Sequence, residues 1–416
     1  MPGRIKIAMV KTVTERINTG RIFTLDMVSN DYLKQLDDLL TVNHQSWLFG
    51  AGISFNAGIP LMGPLTMRVF ERAAEDTDPM PKNVLEAIKF ELPEEAHIEH
   101  ILSHLGDYAA IARRIKDGKV KIGTETLSVA KIDDVHNKIL KWISDTIRWG
   151  YKPGISDGSP AEIGSWEQPI VKVDEHLMFV RALFNRSQAG IEQRRCAVNI
   201  FTTNYDTLLE DALALGGIAY WDGFAGGAVA FRCHRYGDKE PDGAYRARLI
   251  KLHGSIDWRF DENEQILRVR EGDTYQGGAS RILIYPQATK YLATQRDPFA
   301  AQFDLFRRAL GRTTENILAI CGYSFGDDHI NDEIELALRR SDNKTTILAF
   351  VPTLNSTIER WRATPWSKRL YAITGQGLYV GEQGPFFIPT ARQEKDWWKF
   401  AGVAKVLHSG AEAYAI

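Results

Sequence analysis

Two observations predict an α/β fold built on a parallel sheet. Short, wholly apolar runs alternate with stretches of helical period, the pattern of strands buried on both faces between helices. Glycines and polar residues gather just after those runs, at the carboxyl ends where open sheets bind their ligands. The expected architecture is a Rossmann-like parallel sheet with a large helical insertion and a C-terminal extension.

The elements follow in order. Residues 1–42 read as an N-terminal arm and a helix. Asn30 or Asp31 caps a segment whose Leu33, Leu36, Leu39 and Leu40 keep the period of a buried face. Trp47-Leu48-Phe49 is the first strand. It ends in Gly50-Ala51-Gly52, then Ile53-Ser54 and Ala57-Gly58-Ile59-Pro60. Glycines there let the backbone turn and approach a ligand, and N–H groups beyond them attract phosphate oxygens. The spacing is not the dinucleotide fingerprint G-x-G-x-x-G. Residues 71–195 are mostly helical. Two apolar stripes, Ile98 to Ile111 and Ile132 to Ile147, read as packing faces. A hairpin or loop over 118–128 separates them, and 151–169 is a connection rich in Gly, Pro and Ser. Asp174 caps a helix carrying Leu177, Val180, Leu183 and Phe184. Strands resume at 197–203, 249–253, 282–285, 316–321 and 346–351, with a helix at 206–215 and others between later strands. The core is therefore 43–70 with 196–363, and 364–416 is a C-terminal interface segment.

Composition bounds the function. The 416 residues leave room for two or three units of ~100–200 residues. Net charge is −2, from 51 basic and 53 acidic residues, without the basic footprint that nucleic-acid binding as a main task needs. Cys196, Cys233 and Cys321 form no C-x-x-C, so a four-cysteine zinc site cannot be built and no zinc is expected. Sparse cysteines, no signal-peptide pattern and no apolar run of ~18 residues predict a cytoplasmic chain that does not engage a membrane.

The strand ends carry the chemistry. After the second strand come Thr202, Thr203, Asn204, Tyr205 and Asp206. After the third come His253, Gly254, Ser255 and Asp257. After the fifth come Gly322, Tyr323, Ser324, Gly326, Asp327, Asp328 and His329. Asn orients a water or a ribose hydroxyl, because it both donates and accepts. His titrates near neutrality and can take a proton from a hydroxyl or water. Together with a glycine turn this makes a site for a dinucleotide attacked at its anomeric carbon, through an oxocarbenium-like state. Asp206 reads equally as a helix cap. Asp327, Asp328 and His329 read as a cap rather than a metal site, and Cys321 as core.

These residues resemble the sirtuins. Gly50-Ala51-Gly52-Ile53-Ser54 with Ala57-Gly58-Ile59-Pro60 is similar to the first sirtuin motif. Thr202-Thr203-Asn204-Tyr205-Asp206 resembles Thr-Gln-Asn-Ile-Asp. Lys251-Leu252-His253-Gly254-Ser255 resembles the strand with the catalytic histidine, and Gly322-Tyr323-Ser324 stands for Gly-Thr-Ser. Deacylases continue with Asp-Phe-Arg where this chain has Leu61-Met62-Gly63. The fuller forms are similar to sirtuin-like NAD hydrolases of bacterial anti-phage defence. Ile98-Glu99 to Leu105, and the Tyr285-Pro286 turn before Lys290, fit that group as well. The chain most resembles the stand-alone sirtuin-like subunit that pairs with a HerA-like hexameric ATPase.

The resemblance implies NAD as substrate and the following roles. Gly50, Ala51, Gly52 and Ser54 bind the diphosphate and a ribose, with Ile59 and Pro60 beside them. Asn204 positions the attacking water or the nicotinamide ribose, and Asp206 supports the nicotinamide end. His253 is the base, with Gly254 and Ser255 next to it. Gly322 and Ser324 hold the adenosine side. Thr203 stands in for the sirtuin glutamine, so its ribose contacts would be weaker or water-mediated. The resemblance also implies a homo-oligomer, a large ring. A deacylase or ADP-ribosyltransferase, and a non-catalytic NAD- or ADP-ribose-binding subunit, are the alternatives. Trp397, Trp398 and Phe400 either anchor a subunit contact or cover the chain's own core.

Overall fold

The structure, a computed structural model, describes residues 31–154, 158–186, 196–241, 244–270, 281–284, 297–389 and 395–415. The expected arm over 1–30, and Tyr285, Pro286 and Lys290, lie outside the described residues.

Helix α1 covers 31–39, and strand β1, Gln45–Phe49, leads into a single 3-10 turn, Ala51–Ser54. Four helices follow: α2 (Met62–Glu75), α3 (Met80–Glu91), α4 (Ile98–Arg114) and α5 (Val129–Trp149). The hairpin β2 (Lys119–Ile122) and β3 (Glu125–Ser128) separates the last two. A two-residue pair, β4 (Tyr151–Lys152) and β5 (Glu162–Ile163), crosses the long connection before α6 (Asp174–Arg186). The second half runs β6 (Val198–Thr202), α7 (Leu208–Leu215), β7 (Tyr220–Trp221), β8 (Phe224–Gly226), β9 (Val229–Arg232), β10 (Ala247–Lys251), β11 (Gly254–Phe260), β12 (Ile266–Val269) and β13 (Arg281–Ile284). Then come α8 (Phe299–Leu310), β14 (Asn316–Cys321), α9 (Asp328–Arg339), β15 (Thr345–Phe350) and α10 (Ser356–Arg362). The chain closes with β16 (Leu370–Thr374), β17 (Gly377–Val380), β18 (Gln383–Phe386), α11 (Phe400–Ser409) and α12 (Glu412–Ala415).

The central sheet has nine strands in the order β18-β17-β16-β15-β14-β1-β6-β10-β7. From β16 to β7 the pairs are parallel, and β17 and β18 add an antiparallel edge. β1 lies between β14 and β6, so successive strands build outward from it in both directions. That is the switch point at which open α/β sheets form a crevice. Alternation along β1 divides the core. Trp47 and Phe49 enter the layer of α1, α6, α7 and α11, while Leu48 enters the layer of α8, α9 and α10. Phe179 of α6 meets Trp47 at 5.0 Å, Phe49 at 5.2 Å and Phe400 of α11 at 5.0 Å between ring centroids. Losing one such buried ring costs about 3–5 kcal/mol.

The α2–α5 helices bury a separate apolar cluster, closed by Tyr205, Leu208 and Ile256 of the α/β layer. α6, by contrast, packs along α11 against the central sheet.

Two differences from the sequence reading stand out. The strand expected at 282–285 does not join the parallel sheet. β13 pairs antiparallel with β11 in a second, five-stranded sheet of order β13-β11-β12-β9-β8. A short apolar run carries no information about strand direction or partner. The chain beyond residue 363, expected as an interface segment, also supplies three strands of the central sheet. Two of its aromatics pack internally. Trp397 is fully buried and donates its indole N–H to Thr374 O at 2.6 Å, and Phe400 packs on Phe49. No described helix is long and apolar enough to cross a membrane.

Candidate active site

Register brings the strand ends to one level. Phe49 lies beside Thr202 and Cys321, Thr202 beside Lys251, and Cys321 beside Phe350. The loops leaving these positions surround a cavity of about 1120 Å³. That is somewhat above the ~300–1,000 Å³ of ordinary small-ligand pockets, room for a dinucleotide. Gly50, Ala51, Gly52, Ser54, Ile59, Pro60, Thr203, Asn204, Asp206, His253, Gly322 and Ser324 all line it. Gly254 and Ser255 do not. They begin β11 behind the wall, where Ser255 Oγ donates to Tyr205 O at 3.2 Å and steadies the Asn204 loop.

The glycine turn has a more local cause than ligand approach alone. A Cβ on Gly50 would lie 2.7 Å from Gly322 O, and one on Gly52 2.8 Å from Gly322 Cα. Gly322 itself has φ +66°. The two loops touch backbone to backbone, and Gly52 N–H donates to Gly322 O at 2.9 Å. That N–H is therefore committed within the fold rather than offered to a phosphate.

Ser54 is the hub of the β1–β6 wall. Its hydroxyl donates to Asp206 Oδ2 at 2.8 Å and accepts from Asn204 Nδ2 at 3.1 Å. Asp206 Oδ1 accepts from Leu208 N at 3.0 Å, so this carboxylate both caps α7 and faces the site. Asn204 is 7% exposed, and its Oδ1 is buried and accepts no hydrogen bond from any described residue. A buried amide oxygen without a partner is costly unless a ligand or water supplies the donor. Thr203 N–H closes onto Phe49 O at 3.0 Å, holding this loop over the end of β1.

Three contributors had no site role in the sequence reading. His176 of α6 is fully buried, with Nε2 3.5 Å from Ser54 Oγ. Burial pushes its imidazole down to about 4, against the opposing pull of Asp206. It falls at helical spacing with Phe179, Val180 and Leu183, so its place on the buried face was the available signal. Lys251 is the second. Its buried ammonium donates to Asp206 O and pairs with Glu210 Oε1 at 3.1 Å. A lysine inside an apolar strand run is itself a signal. Burial raises the Glu210 carboxyl, and Lys251 opposes that. The third is Glu99 of α4, which accepts the Tyr205 hydroxyl at 2.6 Å and ties the helical insertion to the Asn204 loop.

On the opposite wall His253 occupies the junction of β10 and β11, so it belongs to the crossing between the two sheets. Its Nε2 lies 3.9 Å from Asp327 Oδ1, and its ring stacks on His329 at 5.6 Å and 27°. Donor atoms of these three side chains lie within 4.8 Å of one another. Cys321 is buried and burial pushes its thiol far up, so it is core and not a nucleophile. Trp398, Lys399 and Phe400 of the C-terminal segment complete the rim.

Solved structures similar to this chain include a Sir2 point mutant with a p53 peptide and NAD, at 13% identity over 76% of this chain and 86% of that one, with a TM-score of 0.32. Sir2Tm bound to a propionylated peptide is 14% identical over 76% and 86%, with a TM-score of 0.33. A Sir2 homologue in complex with NAD is 13% identical over 78% and 85%, with a TM-score of 0.35. No curated protein matches the sequence. Residues 198–369, which carry the Asn204, His253 and Gly322 strand ends, match the profile of the SIR2-like domain family.

Proposed function

We propose that this chain is an NAD hydrolase that cleaves the nicotinamide–ribose bond to give nicotinamide and ADP-ribose. One observation carries the reading. Asn204 and Asp206 after β6, and His253 after β10, open into one cavity with the Gly50–Gly52 turn at the sheet's switch point. In the reaction a water oxygen bonds to the anomeric carbon as the bond to the pyridinium nitrogen breaks. The electron pair of that bond neutralises the nicotinamide ring, and the water proton passes to His253. Asn204 Oδ1 orients the water or a ribose hydroxyl. The negative charge of Asp206 lies on the side where oxocarbenium character develops.

The wall formed by Ile59, Pro60, Leu61, Met62 and Leu65 is apolar where deacylases carry Asp-Phe-Arg. That favours water over an acyl-lysine peptide as the acceptor. In this reading the chain is a homo-oligomer, a ring, that works with a HerA-like hexameric ATPase to deplete NAD during phage infection.

The test is nicotinamide release from NAD by the purified full-length chain, alone and with the ATPase, alongside a native-mass measurement. Equal yields of nicotinamide and ADP-ribose without any acyl peptide are expected. Release that strictly requires an acetyl-lysine peptide would replace hydrolysis by deacylation, and no release in either state would leave only a binding role.

A further inference from the structure

We infer that Asp327 is a positioning residue for His253, supplying the counter-charge for its imidazolium, with the His329 ring as the face against which that ring is held. The inference rests on the NAD-hydrolysis reading for its chemistry and on independent geometry for its assignment.

The geometry begins with a cap that does not cap. Asp327 occupies the N-cap position of α9, where an aspartate normally accepts a hydrogen bond from the first turn. Here its side chain makes no such bond. Its Oδ1 instead stands 3.9 Å from His253 Nε2, and both groups line the cavity. The residue is fixed from behind, because the Tyr323 hydroxyl donates to Asp327 O at 3.2 Å. Its charge is felt inside the site: after burial, the Asp327 carboxylate is the next cause that pushes up the Tyr323 phenol. His329, two residues on, is held between the His253 ring and Phe303, whose centroid lies 5.4 Å away.

The chemistry explains why such a carboxylate is needed. His253 is 5% exposed. On taking the water proton it becomes a cation in a nearly dry site, which is unfavourable without an opposite charge close by. A carboxylate within ~4–6 Å favours the charged ring. At 3.9 Å the pair is too long for a direct hydrogen bond in the resting state and close enough to tighten once the ring is charged. Among the described residues, the other titratable groups lining the same cavity include Tyr205 and Asp206 on the β6–α7 loop, Tyr323 after β14, Asp328, His329 and Asp332 on α9, and His97, Glu99 and His100 at the start of α4. Of these acids, Asp206 is already bonded to Ser54 and Leu208.

The test compares Asp327→Asn, Asp327→Ser and Asp327→Glu in the full chain. Serine restores a capping hydroxyl without charge, and glutamate restores charge. Loss of the counter-charge lowers kcat by about tenfold or more, the equivalent of one pKa unit, with KM within about threefold. Activity needs the neutral ring, so the acidic limb of the pH–rate profile moves to lower pH by about one unit. Asn and Ser should behave alike and Glu should recover. Rescue by Ser, or an unmoved limb with only KM and stability altered, would overturn the proposal in favour of a capping role. A second readout needs no turnover. The His253 ring signal in an NMR titration, assigned by its loss in His253→Asn, should titrate at lower pH in Asp327→Asn than in the wild type. Equal midpoints would overturn the assignment. A wild type that releases no nicotinamide would instead bring down the hydrolase reading, while the titration still decides the role of Asp327.

Discussion

At the β1–β6 wall of the cavity, Ser54, Asn204 and Asp206 are joined by bonds of 2.8 and 3.1 Å, His176 Nε2 stands 3.5 Å from Ser54 Oγ, and Lys251 and Glu210 brace the loop from beneath. At the β10–α9 wall, His253 faces Asp327 across 3.9 Å and His329 through a ring stack. One wall is wired, with its geometry set before any ligand arrives. The other leaves space between its charged groups, as a site for proton traffic requires. The difference separates two kinds of cost. Changes on the wired wall remove partners from buried polar groups and therefore weaken the fold as well as the site. Changes on the spaced wall weaken the chemistry alone.

The sharpest test of that contrast is His253→Ala. Loss of a proton carrier typically slows a reaction by ~10²–10⁴-fold, and nicotinamide release should fall by that much. The space it leaves opens onto the existing cavity, so the urea midpoint should stay close to wild type. A large loss of stability would erase the distinction between the walls.

Lys251→Met probes the wired side, and its effect should be on stability first. Removing one partner of a buried ion pair costs about 3–5 kcal/mol, because Glu210 is left as an uncompensated buried charge. Adding Glu210→Gln should recover most of that loss. The sign with pH is also fixed. Burial raises the Glu210 carboxyl in the folded state, so without Lys251 the penalty grows as pH rises above the unfolded carboxylate value. Urea unfolding of Lys251→Met should show a smaller deficit at pH 5 than at pH 8. A pH-independent deficit would mean that Glu210 is not the group left uncompensated.

The sequence made the spaced wall and the loops more legible than the bracing behind them. The Gly50, Asn204, His253 and Gly322 strand ends are visible because each stops an apolar run with residues that a buried strand would not hold. What the chain does not announce is which partner a buried polar residue finds. His176 has the spacing of a packing face and Lys251 sits in an apolar strand run; only the packing of α6 on β1 brings the first to Ser54, and only the β10–β6 register brings the second to the Asn204 loop. Asp327 reads as a cap because it precedes a helix. Only the β10–β11 crossing, which carries His253 to the start of α9, gives its carboxylate another neighbour. The second sheet was hidden for a related reason. Strand direction is decided by long-range pairing, and β13 looks like any other short apolar run.

The smallest of these effects is also the most specific to the wired wall. Burial holds the His176 ring near 4, whereas in the unfolded chain it titrates near 6.5. Above the unfolded value the ring is neutral in both states and contributes no pH dependence. As pH falls from 6.5 toward 4, the unfolded chain binds a proton that the folded chain refuses, so stability is lost on acidification. Between pH 7 and pH 5 this amounts to on the order of 2 kcal/mol, at 1.36 kcal/mol per unit. His176→Gln keeps an N–H donor for Ser54 and removes the titration. Its urea-derived stability should therefore decline less than that of the wild type over the same interval. Equal declines would place the acid sensitivity elsewhere and would take His176 out of the network that fixes Ser54. A smaller decline would make this buried histidine the acid-sensitive element of the wired wall, acting at Ser54.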